Sequence, residues 1–214
     1  MGRISNNMRL AYLILSTVFS LVGCTSHHTV ETATPESRNV ELTTEQGTIY
    51  MRTLPGWLAY TEDDNIILSS PTDVTHALVV NIWLPDTNTF PPQTRVTDIL
   101  DSIADDIESR RSVAVSPPTA TQWGDYEAAY FLINSDRYGV TMIVTANVDD
   151  TLVALNINAI SERFSESRAI LQSLFADFTI NGSIIGGDIF TDIPDVLFVP
   201  SLNPEAAIES SSEP

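Results

Sequence analysis

Between Tyr126 and Ile160 the chain carries three apolar–polar alternations in succession, separated by short polar turns. Tyr126–Asn134 is the first. Val140–Val148 follows, with Val140, Met142, Val144, Ala146 and Val148 on one face. Thr151–Ile160 is the third, with Val153, Leu155, Ile157 and Ala159 expected inward and Asn156 and Asn158 outward. A period of two marks strands, because successive side chains leave opposite faces of the pleated backbone. The turns Ser135-Asp136-Arg137 and Asp149-Asp150 are too short for a crossover, so the pairing is antiparallel. A three-stranded unit with an apolar face must be covered, and the remaining elements have to supply the cover.

Those elements are legible on both sides. Thr48–Thr53 and Trp57–Glu62 are strand signals divided by the turn pair Pro55-Gly56. Glu62-Asp63-Asp64-Asn65 is a polar turn leading into Ile66-Ile67-Leu68, and His76–Leu84 places Leu78, Val80, Ile82 and Leu84 on one face. Beyond Pro91-Pro92 the spacing of Val96, Ile99, Leu100, Ile103 and Ile107 predicts a helix over about Arg95–Arg111. Asp98 and Asp101 near its start and Arg110 and Arg111 at its end suit the helix dipole. After Pro117-Pro118 and the three strands comes a second helix over about Ser165–Phe178, with a stripe of Ile170, Leu171, Leu174, Phe175 and Phe178. Strand runs interrupted by helices on an antiparallel sheet mean an α+β sandwich, an antiparallel β-sheet flanked by helices. With 43% hydrophobic residues the chain can fill such a core.

The N-terminus reads as an address. Met1–Arg9 carries Arg3 and Arg9 and no acid, and Leu10–Val22 is an apolar run of 13 residues. That is short of the roughly 20 needed to cross a bilayer as a helix. Leu21-Val22-Gly23-Cys24 then ends the apolar run, and the composition turns polar. This quartet resembles the lipobox of bacterial lipoproteins. The resemblance implies that the Cys24 thiol receives a diacylglyceryl group, that residues 1–23 are a cleaved signal peptide, and that Cys24 becomes the lipidated first residue. Positive charge before the apolar run agrees with that orientation, and two or three acyl chains anchor a domain stably. Removing Arg3 and Arg9 takes the net charge from −18 to −20. Residues 24–47, rich in Thr, Ser and Glu, are expected to be a flexible tether. Residues 48–181 are expected to be the folded body. Residues 182–214 form an acidic tail with apolar clusters at Ile184-Ile185, Ile189-Phe190 and Val196–Val199, whose first part is expected to pack back on the domain.

Within the body, Leu54-Pro55-Gly56-Trp57 followed by a polar turn and Ile67-Leu68-Ser69-Ser70-Pro71 resembles the opening of PsbP-like domains. These belong to a wider group that includes Mog1 and the DcrB lipoproteins. The resemblance covers about residues 48–181 and implies a curved antiparallel sheet flanked by helices. Members of that group act as photosystem assembly factors, a GTPase-binding protein or envelope lipoproteins, and no shared catalytic residues exist to carry over. A fold of this kind does not assign a function.

Charge and motifs narrow the function classes. All ten basic residues are Arg against 28 acids, with pI about 4.2, which argues against a nucleic-acid partner. Cys24 is the only cysteine, so no disulfide forms within the chain and no multi-Cys metal site exists. No nucleophile elbow, phosphate loop or His-Glu-x-x-His occurs. His27 and His28 fall in the tether, and His76 begins a strand, where a base would need a nucleophile and an orienting acid from elsewhere in the fold. Asp63-Asp64, Asp105-Asp106 and Asp149-Asp150 lack the alternating ligand spacing of a calcium loop. Two of these pairs lie in expected turns, where Asp serves the backbone. No catalytic, cofactor or metal residue is therefore assigned, and no cofactor is expected. Tyr60, Trp83 and Trp123 are expected as exposed aromatic anchors on an acidic surface. The expectation is a non-enzymatic, lipid-anchored extracytoplasmic protein on a plasma or outer membrane, binding a protein or small ligand at the cell envelope. The alternative is a hydrolase or metal-dependent enzyme whose site is assembled from distant residues.

Overall fold

The computed structural model describes residues 36–71, 78–86, 90, 94–108, 113–135, 139–158, 160 and 163–201. Twelve strands and two α-helices lie among them. In chain order they are β1 (Asn39–Thr43), β2 (Thr48–Arg52), β3 (Leu58–Glu62), β4 (Asn65–Ser69), β5 (Val79–Trp83), α1 (Val96–Glu108), β6 (Val113–Val115), β7 (Thr119–Trp123), β8 (Tyr126–Ser135), β9 (Gly139–Val148), β10 (Thr151–Asn158), α2 (Phe164–Leu174), β11 (Thr179–Ile180) and β12 (Ser183–Ile184). A 3₁₀ turn follows at Asp188–Thr191.

The expected hairpins β8–β9 and β9–β10 form, with Phe131 opposite Ile143 and Leu155 opposite Val144. They sit inside an eight-stranded antiparallel sheet of order β3-β4-β5-β10-β9-β8-β6, in which β7 also pairs with β8. β6 and β7 share one edge of β8, divided by Pro117-Pro118, which cannot donate to a ladder. Ser116 bridges the break, its N–H donating to the Leu132 carbonyl and its hydroxyl accepting from the Leu132 N–H, both at 2.9 Å. A second, four-stranded sheet has the order β1-β2-β11-β12.

Apolar residues on both faces of the main sheet create two cores. α1 covers one face: Val96, Ile99, Leu100, Ile103 and Ile107 pack on Trp83, Phe131, Ile133 and Ile143. The other face carries Leu78, Val80, Ile82, Met142, Val144, Val153 and Leu155. It is covered jointly by α2, by Ile49, Met51 and Ile180 of the small sheet, and by Ile185, Ile189, Phe190, Ile193 and Leu197. With one helix on each side of an antiparallel sheet, the expected α+β class holds.

Several expectations change. The segment read as tether contains β1, whose Val40 and Leu42 pack against the core opposite Met51 and Ile49. The folded body therefore begins before residue 48. It also extends past 181, because Ile185, Ile189, Phe190, Ile193 and Leu197 pack back as expected, while Ile184, Val196 and Phe198 stay exposed. Asn156 is buried rather than outward, since the face it occupies is covered too. Trp83 and Trp123 are buried, and of the three expected aromatic anchors only Tyr60 is exposed.

The C-terminal segment is stapled by Arg168 of α2. Its Nε donates to the Phe190 carbonyl at 2.9 Å, one terminal nitrogen donates to the Ile193 carbonyl, and the other pairs with Asp195. The guanidinium lies 5.4 Å from the Phe164 ring centroid, within cation–π reach. Truncating it leaves two carbonyls without donors, at a cost of about 1–3 kcal/mol each. Arg168→Ala is therefore expected to lower unfolding stability by about 2–4 kcal/mol and to speed amide exchange across residues 188–197 ahead of β9. Chemical denaturation and hydrogen exchange read both effects.

Candidate functional site

Cys24, His27, His28 and His76 lie outside the described residues. Two of the acidic pairs form two-residue hairpin turns. Asp63 and Asp64 have φ of 47° and 61°, and Asp149 and Asp150 have 48° and 65°. Both residues of each turn are left-handed, as a type I′ hairpin requires, and Asp tolerates this better than most residues. Asn65 Nδ2 holds the first turn by donating to the carbonyls of Glu62 and Asp63, at 3.2 and 2.6 Å. Asp149 accepts hydrogen bonds from Ser183 at 2.9 Å and Tyr126 at 3.3 Å. Both pairs sit in hairpin turns, as expected, and the Asp149 carboxylate ties its turn to the Tyr126 and Ser183 side chains. Among the described residues no three His, Cys, Asp or Glu gather as a metal ion needs.

The chemistry-bearing surface is the outer face of the small sheet. β2 alternates: Ile49 and Met51 go into the core, and Tyr50 and Arg52 point outward. Register sets Asn39 beside Arg52 on one side of β2 and Thr179 beside Tyr50 on the other, with Ile184 next to Thr179. Together with Ser37 and Asp177 they line an open cleft of about 640 Å³. Tyr50 is 36% exposed and Ile184 75% exposed, large apolar areas to leave in water. Tyr50, Arg52, Asn39, Thr179 and Ile184 thus project from paired strands rather than from a loop.

A second groove, of about 480 Å³ and more apolar, lies between α2 and the Pro55-Gly56 corner. Leu54, Pro55, Trp57, Pro71 and Ile170 line it. Gly56 has φ +84°, and a Cβ there would fall 2.9 Å from Pro71 Cγ, so the corner requires glycine. Trp57 N–H closes the turn on the Leu54 carbonyl at 3.2 Å, and the Ser70 hydroxyl accepts from Leu78 N–H at 2.9 Å. The Leu54–Trp57 and Ser69–Pro71 runs thus meet in space, and their recognisable residues build a corner.

No family model matches the chain. No curated protein matches it. Among solved structures it is similar to the solution structure of cyanobacterial PsbP (CyanoP) from Synechocystis sp. PCC 6803, at 12% sequence identity and a TM-score of 0.45. The alignment covers 74% of this chain and 98% of that one.

On the α1 side of the main sheet lies a polar strip that the alternation pattern does not predict. Asn81 of β5 and Asn156 of β10 are register partners and both fully buried. Trp83 lies two residues along the same face, opposite Asn65 of β4. Both side-chain atoms of each of Asn81 and Asn156, Trp83 Nε1 and Asn65 Oδ1 lack a hydrogen-bond partner among the described residues. Buried polar groups without partners cost stability, and removing both members of such a pair is often neutral or favourable. The double variant Asn81→Leu/Asn156→Leu is therefore expected to raise unfolding stability by about 1–3 kcal/mol. Loss of stability instead would mean that bound water satisfies the strip, and denaturation of the single and double variants separates the two outcomes.

Proposed function

We propose that this protein is an extracytoplasmic lipoprotein, held to a membrane by acyl chains on Cys24, whose domain works by binding a partner at the cell envelope rather than by turnover. The observation that carries the reading is the outward pair Tyr50 and Arg52 on β2, set beside Ile184 in an open cleft on rigid strands. Tyr and Arg are enriched among the residues that dominate binding energy, because each combines a large contact area with directional hydrogen bonding. An open, shallow face suits a protein surface or an extended ligand better than a small molecule that must be enclosed. The lipobox-like Leu21–Cys24 supports the anchor. Anchoring confines the domain near the membrane and raises its effective concentration toward membrane-bound partners. Net charge of −18 favours encounter with basic partners at low salt.

The test is affinity capture of the lipidated protein from its own membranes, comparing the natural chain with Tyr50→Ala/Arg52→Glu and with Cys24→Ser. The Tyr50/Arg52 double variant is expected to lose a captured partner with a binding cost of about 2–4 kcal/mol, the size typical of central interface residues. Cys24→Ser is expected to abolish lipid labelling and release the protein from the membrane. A Cys24 found unmodified in the membrane fraction by intact mass would contradict the anchor. Hydrolytic turnover by the purified chain, lost on His76→Ala, would contradict the binding reading.

A further inference from the structure

The main sheet has two edges, and they are treated differently. At one, β6 and β7 are short and divided by Pro117-Pro118, a break that spoils the edge as a template for another strand. At the other, β3 runs uninterrupted for five residues, without proline or a basic residue, and pairs only with β4. Leu58 and Tyr60, 62% and 40% exposed, stand on one face of this edge.

The ladder fixes which backbone groups are free. The two-residue turn Asp63-Asp64 makes Glu62 and Asn65 the closing hydrogen-bonded pair of the β3–β4 hairpin. Antiparallel pairing alternates, so Tyr60 and Leu58 also direct their N–H and C=O groups at β4, opposite Ile67 and Ser69. Ala59 and Thr61 direct theirs away from the sheet. None of those four groups has a partner among the described residues. Beside them lie two exposed apolar side chains. At the tip of the strand Glu62, Asp63 and Asp64 are all exposed.

We propose that β3 is a strand-addition site for an extended segment of a partner protein. That segment would pair antiparallel with Ala59 and Thr61, lay an apolar side chain over Leu58 and Tyr60, and bring Arg or Lys to Glu62-Asp63-Asp64. Main-chain hydrogen bonds give such a site its affinity, and the alternate side chains give its selectivity. Charge complementarity sets the occupant. A second copy of this chain would bring another acidic triplet, no basic residue on its β3, and a net charge of −18. A five-residue edge is also small against the roughly 1,200 Å² that a stable dimer buries. The site is distinct from the Tyr50–Arg52 cleft and stands or falls separately.

The probe is a synthetic peptide Arg-Val-Thr-Val-Arg-Val, with Glu-Val-Thr-Val-Glu-Val as its acidic counterpart, titrated into the isotope-labelled full chain. The basic peptide is expected to shift the Ala59 and Thr61 amides, to slow their hydrogen exchange roughly tenfold at saturation, and to bind at least about tenfold more tightly than the acidic one at low salt. Thr61→Pro should abolish the effect and keep the fold, because that N–H faces away from β4. N-methylation of alternate peptide amides should abolish binding with the protein unchanged, which separates lost pairing from lost folding. Absence of binding, equal binding of the acidic peptide, or binding that leaves the Ala59 and Thr61 amides unmoved would overturn the proposal. So would protection of the same amides by concentration-dependent dimerisation without any peptide. Failure of this test leaves the Tyr50/Arg52 capture result untouched, since that variant lies on the other sheet.

Discussion

Trp123 is the interaction on which the rest of the covered face depends. It ends β7, is fully buried, and donates from Nε1 to the Gly186 carbonyl at 2.7 Å. Its ring stacks on Phe178 at 5.5 Å and 12° and meets Phe175 edge-on at 5.9 Å, and Phe175 packs on Phe190 at 5.5 Å. One indole therefore ties the edge of the main sheet, the end of α2 and the returning C-terminal segment together. Aromatic pairs add about 0.5–1.5 kcal/mol each beyond their burial, and the indole N–H is satisfied only while the C-terminal segment stays docked. Gly187 shows how close that docking is: a Cβ there would fall 2.4 Å from the Gln172 carbonyl oxygen of α2. A side chain at this position would require the segment or the helix backbone to shift.

The same contact holds the outer face of the small sheet. β11 and β12 carry Thr179 and Ile184, and the chain leaves β12 directly into the docked segment, with Ile185 N–H on the Phe178 carbonyl at 2.9 Å. Asn181 adds a second tie, its Oδ1 accepting from Thr48 N–H at 2.8 Å and its Nδ2 donating to Thr151 at 3.0 Å. The small sheet is thus clamped to the hairpin between β9 and β10. Tyr50 and Arg52 project from the outer side of that clamped sheet.

Much of the fold was legible because burial pattern and turn chemistry agree there. The three long strands alternate, their turns are too short to cross over, and both helices show complete stripes. Where reading failed, the reason is physical. β1 offers only Val40 and Leu42 between polar residues, because its outer face is solvated and its inner face is half covered. Alternation puts Asn156 outward only where one face is wet, and here α1 covers the second face. The most informative missed signal was Asn181-Gly182, with φ of 51° and 84°, a strong short-range mark of a hairpin at the point taken as the body's end. Of the candidate face, the outward direction of Tyr50 and Arg52 follows from the alternation of Thr48–Arg52. Their meeting with Thr179 and Ile184 does not, since strand pairing between residues about 130 apart has no local signature.

Hydrogen exchange at the Trp123 indole N–H tests most directly whether the C-terminal segment locks the core and, through it, the outer face of the small sheet. The N–H is predicted to exchange only through the same opening that frees the slowest amides of β9, because both are sealed by the same packed layer. Exchange at the rate of a free indole, with the β9 amides still protected, would show that the segment undocks on its own and that the face is not held rigid.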